Sequence, residues 1–431
     1  MNSKRLIAIA ALLIALPVAA NAQTSRVEGM ALQGDYIKDF TGIYTYPSQV
    51  SNVGNLIYGE FGNDAVGINL IDDRAVGAVL GNLWDGRFGT WAIHIREWTP
   101  SIGQGDVSSH PGIGGGGSDP NLNNNESFDI MWGKRFGGTS LGLRLNRSMW
   151  QSEISTPTTV TTFTNNLTFV GDNFNRNIMG FGGGIGFEIN PSTTFEAGFL
   201  YQQRTFENTV EPVSAGPGNI EDDGGASYLL AARAMYQWQS NVMLVPVLKY
   251  YSFDNSVKAT SPGGAVTSTE ATIKGWQLGL AGNWTLGSND LFVLGLTFAQ
   301  NKAEQDGLVF DSGINPGATY ESEITETYMP QVFAALETHV NSWLTLRFGA
   351  NKGVFSKLKS EGADATEDKV EITFSDFNML LGAGVKVGTL QFDAILADDF
   401  FQNLGYLGSG QSSNTTFSGG YFPKVTATYS F

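Results

Sequence analysis

Along much of this chain apolar and polar residues alternate one by one, the period of a β-strand with two unlike faces. Between 271 and 286, Trp276, Leu278, Leu280, Trp284 and Leu286 share one face, and Gln277, Gly279, Ala281, Asn283 and Thr285 share the other. The next stretch sets Phe292, Leu294, Leu296 and Phe298 against Gly295, Thr297 and Ala299, after a connection of only Ser288, Asn289 and Asp290. The same pattern returns at Leu141, Leu143 and Leu145, opposite Gly142, Arg144 and Asn146, and at Leu344, Leu346 and Phe348, opposite Thr345, Arg347 and Gly349. From 178 to 189, Met179, Phe181, Ile185, Phe187 and Ile189 face away from Gly180, Gly182, Gly184 and Gly186, a row that leaves room beside the strand. Val242 to Tyr251 alternates poorly, and Pro246 within it has to sit where no ladder bond is required.

The connections fall into two lengths that take turns. Short ones occur at Gly137–Ser140, Asn190–Thr193, Gln239–Asn241, Gly287–Asp290, Asn341–Trp343 and Gly388–Leu390. Long polar ones lie near 101–126, 155–176, 208–225, 256–271, 305–326, 356–372 and 404–419. A soluble sandwich also alternates, but its loops have no such parity. Alternating faces with alternating loop lengths predict an all-β, transmembrane, antiparallel up-and-down barrel, with turns in the periplasm and long loops outside. Counting back from the C-terminus gives fourteen strands, or sixteen if the pieces within 53–84 are two more.

The two ends sharpen this. Lys4 and Arg5, an apolar run from Leu6 to Ala20 and the triplet Ala20-Asn21-Ala22 have the layout of a secretory leader. The run is about 15 residues, short of the roughly 20 a spanning helix needs. The expected divisions are a cleaved leader at 1–22, a segment at 23–53 that folds into the lumen as a plug, and a barrel at 54–431. The localisation that follows is the bacterial outer membrane, after Sec-type export. The last strand alternates Val425, Ala427, Tyr429 and Phe431 with Lys424, Thr426, Thr428 and Ser430. It resembles the C-terminal signature of outer-membrane barrels, which implies that Tyr429 and Phe431 are read by the barrel-assembly machinery.

Gly34-Asp35, Asp39, Thr41, Ile43, Tyr44 and Tyr46-Pro47-Ser48 precede the first strand. This stretch resembles the start of the FadL-like family of long-chain fatty acid and hydrophobic-compound transporters. Tyr46 and Ser48 stand where that family commonly has Asn and Ala. The resemblance implies a plug carried by Asp39, Tyr44, Tyr46 and Pro47 and passage of hydrophobic small molecules. Pro47 and Gly42 also suit a chain that simply turns on entering a barrel.

Composition narrows the chemistry. Glycine is abundant at 54 residues, charged residues make up only 15%, and cysteine is absent, which removes disulfides and thiolate chemistry. The formal charge of −16, two units more negative without Lys4 and Arg5, argues against nucleic acid as a partner. The partners expected are outer-membrane lipids and lipopolysaccharide.

The three histidines, His94, His110 and His339, fall at different heights and form no hydrolytic arrangement, so neither an enzyme nor a cofactor is expected. Acidic groups at Glu221-Asp222-Asp223, at Glu321, Glu323 and Glu326, and at Asp364, Glu367 and Asp368 lack cation-loop spacing and read as solvated loop charges. Arg144, Glu188, Glu196, Arg233, Arg347, Lys386, Asp393 and Lys424 alternate onto the lumen face. Charges inside a membrane protein line water or pair with one another, and their mixed sign favours pairing. The expected lumen-lining set is Arg144, Gly182, Gly184, Glu196, Arg233, Arg347 and Asp393. The function expected is passive passage of small or hydrophobic molecules; a general porin and a structural or partner-binding barrel are the alternatives.

Overall fold

The computed structural model describes residues 25–62, 75–81, 83–96, 126–153, 173–209, 219–223, 225–254, 256–260, 266–287, 289–308, 319–363, 369–374, 377–398 and 424–431. The leader and His110 lie outside them, as do Asp364, Glu367 and Asp368.

The strands form one closed antiparallel barrel of sixteen. They are β1 (Leu56–Gly62), β2 (Ala75–Leu80), β3 (Thr90–Arg96), β4 (Glu126–Phe136), β5 (Thr139–Glu153), β6 (Asn173–Asn190), β7 (Thr193–Thr209) and β8 (Asn219–Asp222 with Ala226–Gln239). Around the rest of the wall run β9 (Val242–Asp254 with Val257–Thr260), β10 (Val266–Leu286), β11 (Asp290–Leu308) and β12 (Thr319–His339). The circuit ends with β13 (Leu344–Gly353 with Ser356–Ala363), β14 (Lys369–Phe374 with Phe377–Val387), β15 (Leu390–Asp398) and β16 (Lys424–Ser430). Each strand pairs with its sequence neighbours, and β16 pairs with β1 from Leu56↔Ser430 to Gly62↔Lys424. No strand is left as an edge, so the described ladders close on one another around the wall, as lipid requires. The count settles on sixteen because both strand-like pieces between 53 and 84 join the wall as β1 and β2.

Side chains sort as the alternation requires. Leu141, Leu143, Leu145, Met179, Phe181, Leu278, Leu280 and Leu294 are exposed on the outside, while Arg144, Asn146, Gln277, Ala281 and Thr297 are buried within. Gly137, Gly287 and Gly388 turn at positive φ of 61°, 59° and 64°, where a Cβ would be strained. Pro246 faces outward, and the register between β8 and β9 steps over Val245 and Pro246. The proline therefore lacks a ladder partner on the β8 side and pairs with Leu280 on the β10 side.

The strands from β8 to β14 run longer than their apolar pattern implies. Parts of the expected loops 208–225, 256–271, 305–326 and 356–372 are strand: Asn219–Asp222, Val257–Thr260, the end of β11 and Ser356–Ala363. Beyond the lipid zone the outward face turns polar, so the apolar half of the alternation vanishes. Backbone pairing continues without it. The outward face there carries Lys302 between Glu304 and Glu323, and Lys357 beside Glu371.

The chain before β1 forms α1 (Ser25–Glu28) and three 3-10 turns, Gly34–Tyr36, Phe40–Tyr44 and Pro47–Asn52. None of them joins the sheet. They pack against the inward-facing side chains in two apolar clusters. In one, Val27, Met30, Leu32, Tyr36 and Ile37 meet Met235, Val245, Val247, Val293 and Phe333; in the other, Ile43, Tyr44 and Val50 meet Tyr58, Val79, Ala92 and Met131.

Candidate functional site

The seat of the N-terminal segment is built from charge at the inner wall. Ser25 donates its backbone N–H to Thr426 Oγ1 on β16 at 3.1 Å, 401 residues away in sequence. Arg26 grips Glu337 on β12 with two parallel bonds of 2.9 Å and reaches Asp39 at 3.2 Å. Glu28 receives Lys424 at 2.9 Å, and the same ammonium lies 3.0 Å from Glu60. Asp35 pairs with Lys249 on β9. Arg233 on β8 donates to the Asp35 carbonyl at 2.6 Å and to Glu196 at 2.7 Å, and its guanidinium stacks 4.5 Å above the Tyr46 ring. Gln49 completes that group by donating to Glu196 at 2.7 Å.

On the other side Arg144 donates to the Tyr44 carbonyl at 2.6 Å and to Asp129 at 2.7 Å. The Tyr44 hydroxyl sits 2.8 Å from that of Tyr58 and 2.9 Å from His94 Nδ1. Tyr36 shares its hydroxyl with Thr297 at 2.7 Å and accepts from Gln277 at 3.2 Å. Burial pushes its phenol up to about 12, and burial drives the Tyr46 phenol in the same direction. Burial opposes the Arg26 charge, but Glu337 and Asp39 outweigh it and hold the guanidinium more firmly protonated than usual.

Glycines bring the segment to the wall. A Cβ at Gly142 would collide with the Pro47 carbonyl, one at Gly198 with that of Thr45 and one at Gly349 with that of Met30. In the row expected to receive the segment, Gly184 lies against Pro47 and Ser48 and Gly186 faces the Ser48 hydroxyl, whereas the atoms nearest Gly180 and Gly182 belong to the neighbouring strands.

Arg144, Glu196, Arg233, Arg347 and Asp393 are all buried on the inward face, and each stands in an ion pair. Arg347 lies 2.6 Å from Glu337 and 2.7 Å from Asp393. Glu188 and Lys386 are exposed instead, and Glu188 pairs with Arg135 near the β4–β5 turn. Of the segment residues singled out from sequence, Asp39 and Tyr44 make the bonds above, Tyr46 lies beneath Arg233, and Pro47 opens the third 3-10 turn. His94 is buried beside two tyrosines, His339 is exposed beside Asp290, and they share no site. Among the described residues no three acidic or histidine side chains are placed to hold a metal ion. Asp222 pairs with Arg204, and Glu221 with Lys258.

Removing one partner from a buried ion pair strands the other, at a cost of roughly 3–5 kcal/mol. Glu337 serves both Arg26 and Arg347. Glu337→Ala is therefore expected to lower the temperature at which the folded band converts to the unfolded one in electrophoresis. Glu188→Ala, whose exposed pair contributes about 0–1 kcal/mol, is expected to leave that temperature in place. Equal behaviour of the two variants would refute the anchoring role of the buried pairs.

Beyond the segment, toward the long loops, the wall changes character. Leu200 on β7, Leu229 on β8, Tyr251 and Phe253 on β9 and Ile273 on β10 form a buried apolar patch inside the barrel. Tyr251 lies over Gly275 and donates to Asn301. Sequence reasoning missed this patch, yet its signal was present. The poor alternation of Val242 to Tyr251 marks a strand apolar on both faces, its inner face meeting the N-terminal segment through Val245 and Val247 and entering the patch at Tyr251.

These features define a sixteen-stranded transmembrane β-barrel whose inner wall binds its own N-terminal segment. Among solved structures it is similar to the toluene transporter TodX of Pseudomonas putida, with a TM-score of 0.39 and 10% identity over 95% of this chain and 97% of that one. It is also similar to the siderophore receptor PiuA of Acinetobacter baumannii, with a TM-score of 0.41 and 11% identity over 70% of this chain and 53% of that one. Likenesses of this size carry no site and no substrate across. No family model matches the chain, and no curated protein sequence matches it.

Proposed function

We propose that the chain is a plugged outer-membrane barrel that passes small hydrophobic molecules without a cofactor. The plug is the segment 25–53. Solute enters at the long-loop end, rests against the apolar patch of Leu200, Leu229, Tyr251, Phe253 and Ile273, and leaves when the plug shifts. The observation that carries this reading is the place of that patch. A wide water-filled pore has little use for apolar side chains inside its wall, whereas a binding chamber for hydrophobic solute is lined by them. The resemblance of residues 34–48 to the FadL-like family agrees with it.

Cells that produce the protein are expected to take up the hydrophobic dye N-phenyl-1-naphthylamine faster than cells that lack it, with saturation. Entry of a hydrophilic β-lactam, followed by its hydrolysis in the periplasm, is expected to stay at the background rate. Faster β-lactam entry with unchanged dye uptake would replace this reading with a general porin.

A further inference from the structure

The apolar patch has a polar neighbour that the seat of the N-terminal segment does not use. On β5, Asn146 and Ser148 are the next two inward positions beyond Arg144, toward the long loops. Ser127 on β4 stands directly opposite Ser148. On β7, Gln202 is the next inward position beyond Leu200, the first residue of the apolar patch. Asn146 and Gln202 both lean over Gly180, the small residue between them on β6, and fill the space its missing side chain leaves. Ser127, Asn146, Ser148 and Gln202 are at most 4% exposed. Among the described residues, both hydroxyls, the Gln202 amide nitrogen and the nitrogen and oxygen of Asn146 find no hydrogen-bond partner.

Buried polar atoms are normally paired, because leaving them dry forfeits the bonds they had in water. Four such side chains converging on one wall of an interior, beside five apolar ones, offer donors and acceptors to a guest. Among the described side chains, the charges nearest them are paired. Arg144 faces Asp129 below, and Arg204 faces Asp222 above. A carboxylate or ammonium guest would bring a charge that neither of these pairs is free to meet.

From this juxtaposition we infer that the interior recognises neutral amphiphiles, with an amide or hydroxyl head on Ser127, Asn146, Ser148 and Gln202 and an apolar body on Leu200, Leu229, Tyr251, Phe253 and Ile273. The inference rests on the proposed hydrophobic passage and narrows its substrate class. Polar sites of this kind discriminate strongly, since a guest without the head leaves the wall unpaired.

The test uses the full mature barrel in lipid nanodiscs, with radiolabelled decane, decanamide and decanoate at a pH where decanoate is ionised, and empty nanodiscs subtracted. Decanamide is expected to bind saturably and about tenfold or more tighter than either decane or decanoate. The double variant Asn146→Leu/Gln202→Leu is expected to bind decanamide no better than decane. Ser127→Ala/Ser148→Ala, a milder change, is expected to move decanamide in the same direction. Heat-modifiable migration identifies the folded variants, and Phe253→Ala is expected to weaken decane and decanamide alike.

Decanoate binding as tight as decanamide would overturn the neutral-head assignment in favour of Arg144 as an anion anchor. Decanamide binding that neither double variant alters, or that only equals decane, would show that the polar wall holds structural water only. Saturable decane binding in either case leaves hydrophobic passage standing. Absence of saturable binding by all three probes would sink both.

Discussion

Deleting residues 26–50 is expected to turn a poorly conducting barrel into an open pore, seen as a discrete high-conductance level in planar bilayers. A barrel of sixteen strands is wide enough for an aqueous channel unless something fills it. Here the filling is attached through side chains and carbonyls, as with Arg144 to Tyr44 and Arg233 to Asp35, and never as a strand of the sheet. The deletion therefore removes no rung of the ladder. Of the wall charges it uncovers, Lys249 loses Asp35, while Arg144 retains Asp129, Arg233 retains Glu196, and Arg347 retains Glu337 and Asp393. Water entering the lumen solvates the rest. The shortened protein should accordingly still migrate as a heat-modifiable barrel. Unchanged conductance, together with a wild-type protein that already passes ions, would sink the plugged-transporter reading.

Loss of Phe431 should have the larger effect on the amount of protein. Its backbone N–H donates to the Asn55 carbonyl at 3.2 Å, adding a bond just past the seam where β16 meets β1. Its ring stacks on Tyr429 with centroids 5.9 Å apart, and the two side chains are 56% and 46% exposed on the lipid side. Aromatic residues in that position suit the boundary between hydrocarbon and water. Without the last residue the seam is weakened at the place the assembly machinery is expected to read. The folded barrel should fall to a small fraction of its normal amount, with the chain degraded in the periplasm, while Phe431→Tyr should assemble. Normal amounts from the deletion would remove the terminal residue from any role in assembly.

The wall was legible in the sequence wherever lipid imposes it. Leu141, Leu143 and Leu145 have to be apolar because they meet hydrocarbon, and Gly142, Arg144 and Asn146 are free to be otherwise, so the faces separate on inspection. Legibility failed above the membrane, where Ser356–Ala363 and Val257–Thr260 pair through their backbones with no apolar face to announce it. It failed again inside. Alternation told that Arg233 points inward, but not that Glu196 on the next strand and the carbonyl of Asp35 converge on it. Such meetings depend on register between strands and on a segment with no period at all. The stretch 34–48 had to be read from Gly34-Asp35 and Tyr46-Pro47-Ser48, residues whose turns and close approaches are local. The partners these residues find lie on nearly every side of the barrel.

The tie between Ser25 and Thr426 has a consequence for the order of events during biogenesis. Most anchors of the segment lie on β4 to β12, but this one and the Glu28–Lys424 pair need the final strand in place. Contacts separated by almost the whole chain are the last to become affordable in entropy. Full seating of the segment, with Ser25 on Thr426, therefore coincides with closure of the ring.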